Sequence, residues 1–287
     1  MRVSLEQVNY IYQPGSITAA QALHQVNLSV ESGQLVAVIG HGGSGKSTLA
    51  LLLAGLYRPT SGQVRLSGVT EQEPSFRQVG LVFQYPEQQL FGETVFEEVA
   101  FGAKNRGLAG EELTRRVEQA LAAVDLEAAA FRERSPFSLS GGQKRRVCIA
   151  SVLVLDPELI ILDEPTAGLD EAGRAWMLGL VRQWQAQGRA VVWITHNMAE
   201  AAEIAQRVVV LSQGRILLEG TPQQVFAAED VLRQAHLEAP PAARLVRQMQ
   251  ARGWTIPAEA VTAEAACREL GGYLAAQAPK GRGGGHV

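Results

Sequence analysis

Eight consecutive residues, Gly40-His41-Gly42-Gly43-Ser44-Gly45-Lys46-Ser47, constrain this chain more than any other stretch of its sequence. They follow Leu35-Val36-Ala37-Val38-Ile39, a continuous apolar run of the kind that forms a strand buried on both faces of a parallel sheet. They open onto Thr48 to Gly55, which reads as a helix. Strand, G-x-x-x-x-G-K-[ST] and helix in that order make a loop whose backbone N–H groups turn inward around phosphate oxygens. The helix N-terminus adds partial positive charge. On this pattern residues Gly40 through Thr48 bind a nucleoside triphosphate, with Lys46 reaching the β- and γ-phosphates and Ser47 giving an oxygen to Mg2+. A Gly-rich turn with a chance lysine would not need both flanking elements.

Two further apolar runs, Leu159-Ile160-Ile161-Leu162 and Val191-Val192-Trp193-Ile194, are separated by helical patterns, which predicts an α/β core with parallel strands. Residues 3–39 alternate polar and apolar positions, with breaks at Pro14-Gly15 and Ser32-Gly33, and suggest short, partly antiparallel strands. The stretch at about 87–153 is rich in Ala, Glu, Arg and Leu and reads as a helical insertion, with one helix from Glu111 to Ala130. Val208 to Leu218 looks like a hairpin around Ser212-Gln213-Gly214. Beyond Thr221-Pro222 the chain is Ala-rich and helical to about 278, and residues 279–287 have nothing to bury and are expected to be disordered. No internal repeat is visible.

Composition narrows the function classes. At 287 residues, 46% apolar and 19% charged, the chain has ample material for a core. Lys+Arg 26 against Asp+Glu 29 gives −3, which offers no global attraction to nucleic acid or anionic lipid. Cys148 and Cys267 lie far apart with no Cys or His cluster beside them, so neither a metal knuckle nor a disulfide framework is expected. Residues 1–7 lack a signal-peptide core, and the longest apolar candidate, Val147 to Leu155, falls short of the roughly 18 residues a span needs. The sequence alone predicts a cytoplasmic chain that does not itself cross a membrane.

Two more segments carry chemistry. Asp163-Glu164 ends a buried strand, where open α/β sheets bind their ligands. Asp163 is placed to hold Mg2+ through water and Glu164 to polarise an attacking water as general base. A turn-and-cap role before Pro165 is the alternative, and it weakens beside a phosphate loop. In Leu139-Ser140-Gly141-Gly142-Gln143, Ser140 and Gln143 have capping-box spacing. The same helix N-terminus, with two glycines and a hydroxyl, can hold an anion. The segment alone does not choose between the two.

The loop at 40–47, Gln84, LSGGQ at 139–143, Asp163-Glu164, Gly168-Leu169-Asp170 and His196 occur in one order, and the series resembles the ATPase subunit of ABC transporters over residues 1 to about 220. The resemblance implies a phosphate-loop NTPase core of ABC type (1–221) with an antiparallel β subdomain, a helical subdomain and a C-terminal helical extension (222–278). It implies ATP and Mg2+ as cofactors and a head-to-tail dimer, with Ser140, Gly141, Gly142 and Gln143 contacting the partner's ATP. Tyr12 would stack on adenine, with Tyr10 as the fallback; Gln84 would touch Mg2+ and the attacking water. His196 would contact the γ-phosphate, and Asp170 would organise the dimer contact or merely end a turn.

Phe83-Gln84-Tyr85-Pro86-Glu87-Gln88-Gln89-Leu90-Phe91, Thr94-Val95, Ser135-Pro136-Phe137 and Arg145-Arg146-Val147 are similar to the energy-coupling-factor (ECF) subgroup, importers of vitamins or transition-metal ions. Glu164 through Asp170 is more similar to the second of that system's two ATPases than to the first. The resemblance implies a second ATPase subunit as partner, a paralogue being favoured over a second copy. It also implies an ECF transmembrane coupling subunit and a substrate-binding membrane subunit. Nucleic acid is not among the expected partners, and membrane contact runs through these subunits at the cytoplasmic face of a prokaryotic cell membrane. Gly43, Glu171 and Lys144 depart from the subgroup's usual Thr, Pro and apolar residue, and none of them alters Lys46, Ser47, Glu164 or His196.

A soluble ABC ATPase of DNA repair would carry a long coiled coil between Lys46 and Ser140, and a translation factor would carry two cassettes; neither occurs. LSGGQ argues against a phosphate-loop kinase. After Gln84, Phe91, Val95, Phe96 and Val99 fall on one helical face, and Leu90 and Phe91, following the Pro86 turn, are expected to offer an apolar anchor to a membrane subunit's helix.

Overall fold

The computed structural model describes residues 1–68 and 78–277; the expected disordered tail at 279–287 lies outside the described residues. Strands β1 (Arg2–Tyr12), β2 (Ala20–Glu31) and β4 (Ser61–Ser67) form an antiparallel sheet in the order β2-β1-β4. The second sheet contains β3 (Leu35–Ile39), β5 (Val79–Val82), β6 (Leu159–Asp163), β7 (Ala190–Thr195), β8 (Arg207–Ser212) and β9 (Arg215–Gly220). Its order is β5-β6-β7-β3-β8-β9, parallel except for the β8–β9 hairpin. That hairpin turns at Gln213 (φ +48°) and Gly214 (φ +73°), the left-handed pair a two-residue turn requires.

Side-chain alternation explains why the central strands read as unbroken apolar runs. Val191 and Trp193 on β7 face a helical layer, while Val192 and Ile194 face the antiparallel sheet and α1 (Lys46–Leu53). On β3, Val36 and Val38 pack on that second side as well. Helix α1 begins two residues before the expected Thr48, so Lys46 and Ser47 belong to its first turn.

The insertion is helical as expected, with α2 (Val95–Asn105), α3 (Gly110–Ala122), α4 (Ala128–Phe131) and α5 (Gly141–Leu153) packed over α6 (Glu171–Ala186) and the sheet. The single helix expected over Glu111–Ala130 is instead broken. Asp125 takes φ +56°, its N–H bonds to Ala122 O, and the Leu126 N–H bonds to Leu121 O with the Leu126 side chain buried. This is a Schellman stop, built on an aspartate where glycine is the usual signal.

A second correction concerns the apolar stripe. Val95 and Val99 are buried on α2, but Leu90 and Phe91 precede that helix in the link from the Pro86–Gln89 turn. Leu90 turns into the core and cannot serve as a surface anchor, whereas Phe91 stays 59% exposed with its ring 4.8 Å from the exposed Phe101. Extended neighbours point to opposite sides.

Helix α7 (Met198–Ile204) follows β7; past residue 221 come α8 (Pro222–Ala227), α9 (Glu229–Gln234), α10 (Pro241–Ala251) and α11 (Ala263–Gln277). The first of these are not an appendage: Val225, Phe226 and Leu232 share a core with Ala37, Ile39, Val208 and Val210 of the sheet. Farther on, Val246, Ile256, Ala260 and Ala266 make a small core of their own, with Trp254 stacked on Tyr273. Among the described residues, no helix is long and apolar enough to cross a membrane.

Candidate nucleotide site

The loop after β3 is held in shape by close backbone approach. Gly45 sits at φ +106°, and a Cβ there would lie 2.8 Å from Ala22 O and Leu23 Cδ2; at Gly40 it would lie 2.3 Å from Leu211 O. Neither position admits a side chain, which is the physical content of the glycine pattern. Ser44 is buried within the loop, and its Oγ has no hydrogen-bond partner among the described residues. Its carbonyl accepts from the Gly214 N–H of the β8–β9 turn.

In front of the loop lies a cleft of about 500 Å3 lined from five segments. Gly42, Gly43, Gly45, Lys46, Ser47 and Thr48 form its floor; Tyr12 and Ala20–Ala22 form one wall, and Gln84, Asp163 and Glu164 the other. Lys46 Nζ donates to Gly40 O (2.7 Å) and His41 O (2.9 Å), which folds the cation back onto its own loop. Burial pushes the Lys46 pKa below its ordinary value, opposed by the negative charges of Glu164 and Asp163. Burial likewise raises Asp163, opposed by the hydrogen bond from Ser47 and by Lys46. Each charge is therefore short of solvation, and a polyanion with a divalent cation would supply it.

Ser47 Oγ donates to Asp163 Oδ2 at 2.8 Å. A hydroxyl and a carboxylate oxygen that close are the hard donors Mg2+ takes, with the remaining positions left to water and phosphate. Gln84 is exposed at the end of β5 and lines the same cleft. The donor set thus fits the ion expected from the sequence.

Glu164 directly follows β6 at φ +50°, its N–H bonded to Ile194 O of β7. Its Oε1 lies 2.8 Å from His196 Nδ1, so the carboxylate and the exposed histidine, expected from separate motifs, are in contact. Tyr12 is partly exposed, bonded through its hydroxyl to Thr48 Oγ1 (3.0 Å) and edge-on to Tyr10. Tyr10 instead stacks flat on Tyr57 and does not line the cleft. His41 turns away toward His236 of the C-terminal segment, ring centroids 5.8 Å apart.

Residues 139–143 lie elsewhere. Ser140 caps α5 in a complete capping box with Gln143. A Cβ at Gly141 or Gly142 would meet nothing within 4 Å. Gly142 lines a second hollow of about 420 Å3 with Arg145, Arg146, Gly168 and Asp170. Asp170 caps α6 by accepting from the Gly173 N–H, so its local structural role is firm.

Two buried residues at this site were given no role from the sequence. Glu200, 2% exposed on α7, accepts from Thr166 Oγ1 (2.9 Å), Arg174 Nε (3.0 Å) and Asn197 Nδ2 (3.1 Å), tying the segment after Glu164 to the one beside His196. Asn197-x-x-Glu200 has capping spacing, a local signal that gives no hint of the distant partners. Arg145, 5% exposed on α5, is the other.

The ABC transporter family profile matches residues 23–167. The chain is 46% identical over 281 residues to the energy-coupling factor transporter ATP-binding protein EcfA2 of Symbiobacterium thermophilum, covering 96% of this chain and 97% of that one. This chain is an ABC-transporter ATPase of the energy-coupling-factor type. The protein of the same name in Streptococcus thermophilus is 42% identical over 272 residues, covering 92% of this chain and 97% of that one. Among solved structures, cbiO1 of Clostridium perfringens, part of the ABC transporter complex cbiONQ, superposes with a TM-score of 0.68 at 34% identity, covering 86% of this chain and 98% of that one. A dimeric ATP-binding cassette in a post-hydrolysis state with ADP and Pi matches at a TM-score of 0.67 and 30% identity, covering 77% of this chain and 98% of that one. As a member of this family the subunit binds ATP with Mg2+ and hydrolyses it to power an ECF-type importer.

Proposed function

We propose that the cleft in front of residues 40–48 is the catalytic site and that Glu164 is its general base. The observation that supports this is the convergence of Lys46, Ser47, Asp163, Gln84 and Glu164 on one cleft, with His196 in contact with Glu164. Tyr12 stacks on adenine, the loop N–H groups and Lys46 hold the phosphates, and Ser47, Asp163 and Gln84 hold Mg2+. The ion supplies charge neutralisation for the phosphates. Glu164 Oε1 takes a proton from the attacking water, and His196, within reach of the same oxygen, orients that water and touches the γ-phosphate.

The residues Ser140–Gln143 serve a second nucleotide. The hollow beside Gly142 is separate from the cleft, and the open space at Gly141 and Gly142 supports an ATP presented by another ATPase subunit; the similarity to EcfA2 proteins favours a paralogue over a second copy. Asp170, beside that hollow, organises the contact. The exposed Phe91–Phe101 pair is the place where a helix of the transmembrane coupling subunit docks, at the cytoplasmic face of the membrane. A substrate-binding membrane subunit completes the complex, and the cargo is a vitamin or a transition-metal ion.

Glu164→Gln in the assembled transporter tests the core of this reading. Loss of a general base lowers turnover by about 10²–10⁴, with ATP affinity retained because the phosphate contacts come from residues 40–48. Near-normal hydrolysis would remove Glu164 from the mechanism.

A further inference from the structure

Arg145 lies on α5, two residues beyond Gln143, and is 5% exposed. One edge of its guanidinium grips the Glu87 carboxylate with both arms, Nε to Oε2 at 3.2 Å and Nη2 to Oε1 at 3.1 Å. Its other nitrogen, Nη1, donates to Pro165 O (3.2 Å) and Ala167 O (2.9 Å). A single planar group therefore joins three segments: the Pro86–Gln89 turn that leads to Phe91, the helix that begins at Ser140, and the loop directly after Glu164.

The guanidinium is rigid and delocalised, so its two edges cannot move independently. A displacement of Glu87 by even part of an ångström must tilt the donor that holds the 165 and 167 carbonyls. Those carbonyls flank the chain one to three residues past Glu164, and the Ala167 N–H bonds back to Glu164 O. With Glu164 already in the left-handed region, little slack remains between that loop and the carboxylate. Exposed surface ion pairs contribute little, but here Arg145 is buried and Glu87 only 24% exposed, and a bidentate pair of this kind fixes geometry as well as charge.

We infer that Arg145 is a positioning residue that transmits displacement of the Glu87 turn to the loop carrying Glu164, so that hydrolysis answers to the membrane subunit. The inference rests on the assignments of Glu164 and of the Phe91 docking face made above. It assigns Arg145 no contact with nucleotide. Glu87 is the input arm and the carbonyl pair the output arm.

The two arms can be cut separately. In the assembled transporter in proteoliposomes, Glu87→Gln removes the charge-assisted fork and leaves the carbonyl contacts. ATP KM and hydrolysis should stay near those of the parent, while solute moved per ATP falls by about fivefold. Arg145→Lys breaks both arms; kcat should fall about tenfold, the loss expected from one charge-assisted hydrogen bond, with KM unchanged. The double variant should be no worse than Arg145→Lys, because the input is silent once the transmitter is gone. A purely structural role would lower the melting temperature and complex yield of both variants while leaving solute per ATP and kcat per assembled complex untouched, and that outcome overturns the inference. Independent, additive losses overturn it equally. Glu164→Gln, run beside them, separates the two failures: normal hydrolysis there would refute the general base, whereas a normal coupling ratio in Glu87→Gln would refute the transmission.

Discussion

Glu200 offers the sharpest energetic test of the site. Its carboxylate is 2% exposed and accepts from Thr166, Arg174 and Asn197. Removing one partner of a buried ion pair typically costs about 3–5 kcal/mol, because a charge is left unpaired out of water. The lower end applies here. Arg174 is itself 26% exposed and keeps Glu203 at 3.2 Å. Thr195 Oγ1 keeps the Asn197 N–H at 2.9 Å. We expect Glu200→Ala to lose about 3 kcal/mol, which at ~2–4 °C per kcal/mol for a chain of this size is a fall in melting temperature of about 6–12 °C. Glu200→Gln retains shape and one acceptor oxygen and should lose about 1–2 kcal/mol. Urea unfolding followed by tryptophan fluorescence is a suitable assay, since Trp193 lies fully buried on β7. A Glu200→Ala change within about 0.5 kcal/mol of the parent would mean that the network contributes nothing. An amide as damaging as the truncation would mean that the unpaired Arg174 charge alone sets the cost and would refute the loss of about 1–2 kcal/mol expected for Glu200→Gln.

Lys46→Met should abolish the ATP-induced rise in melting temperature yet leave the nucleotide-free protein no less stable, because burial already disfavours the protonated amine. The unfolded chain keeps that proton up to its ordinary pKa of 10.5 while the folded one releases it earlier, so the parent should gain stability relative to Lys46→Met as pH rises through that window; the reverse slope would refute the burial argument. Phe91→Ala should leave ATP affinity intact and cost the isolated chain about 1 kcal/mol from its edge-to-face contact, while weakening co-purification of the membrane subunit; a large loss of stability or an unchanged, fully active complex would sink the docking role. Thiol labelling should modify the exposed Cys267 quickly and spare Cys148 until unfolding, since burial pushes the Cys148 thiol up to about 12; equal rates would contradict that.

What the sequence made legible was whatever has a local signature. The phosphate loop, the three buried strands, the hairpin at Gln213-Gly214 and the cap at Ser140 each follow from residues within a few positions of one another. The stop at Asp125 escaped because an aspartate took a glycine's conformation, and β5 escaped because four residues carry too little periodicity. Leu90 and Phe91 looked alike as apolar neighbours, and only the backbone between turn and helix decides that one is core and the other surface. The partners of Arg145, and Thr166 and Arg174 for Glu200, lie between 20 and 58 positions away, beyond any window in which pattern or propensity acts.

The central place of β3 carries a consequence for the order in which the molecule is made. Its edges are filled by β7 and β8, strands that leave the ribosome long after Leu35–Ile39 has emerged. The loop behind it waits longer still, for Gly214 to donate to Ser44. A nascent chain that ends before β7 exposes the loop's supporting strand with two open edges, a species prone to pairing wrongly. The nucleotide pocket is thus a late product of synthesis rather than its nucleus, and fragments released before the hairpin forms have no means of holding ATP.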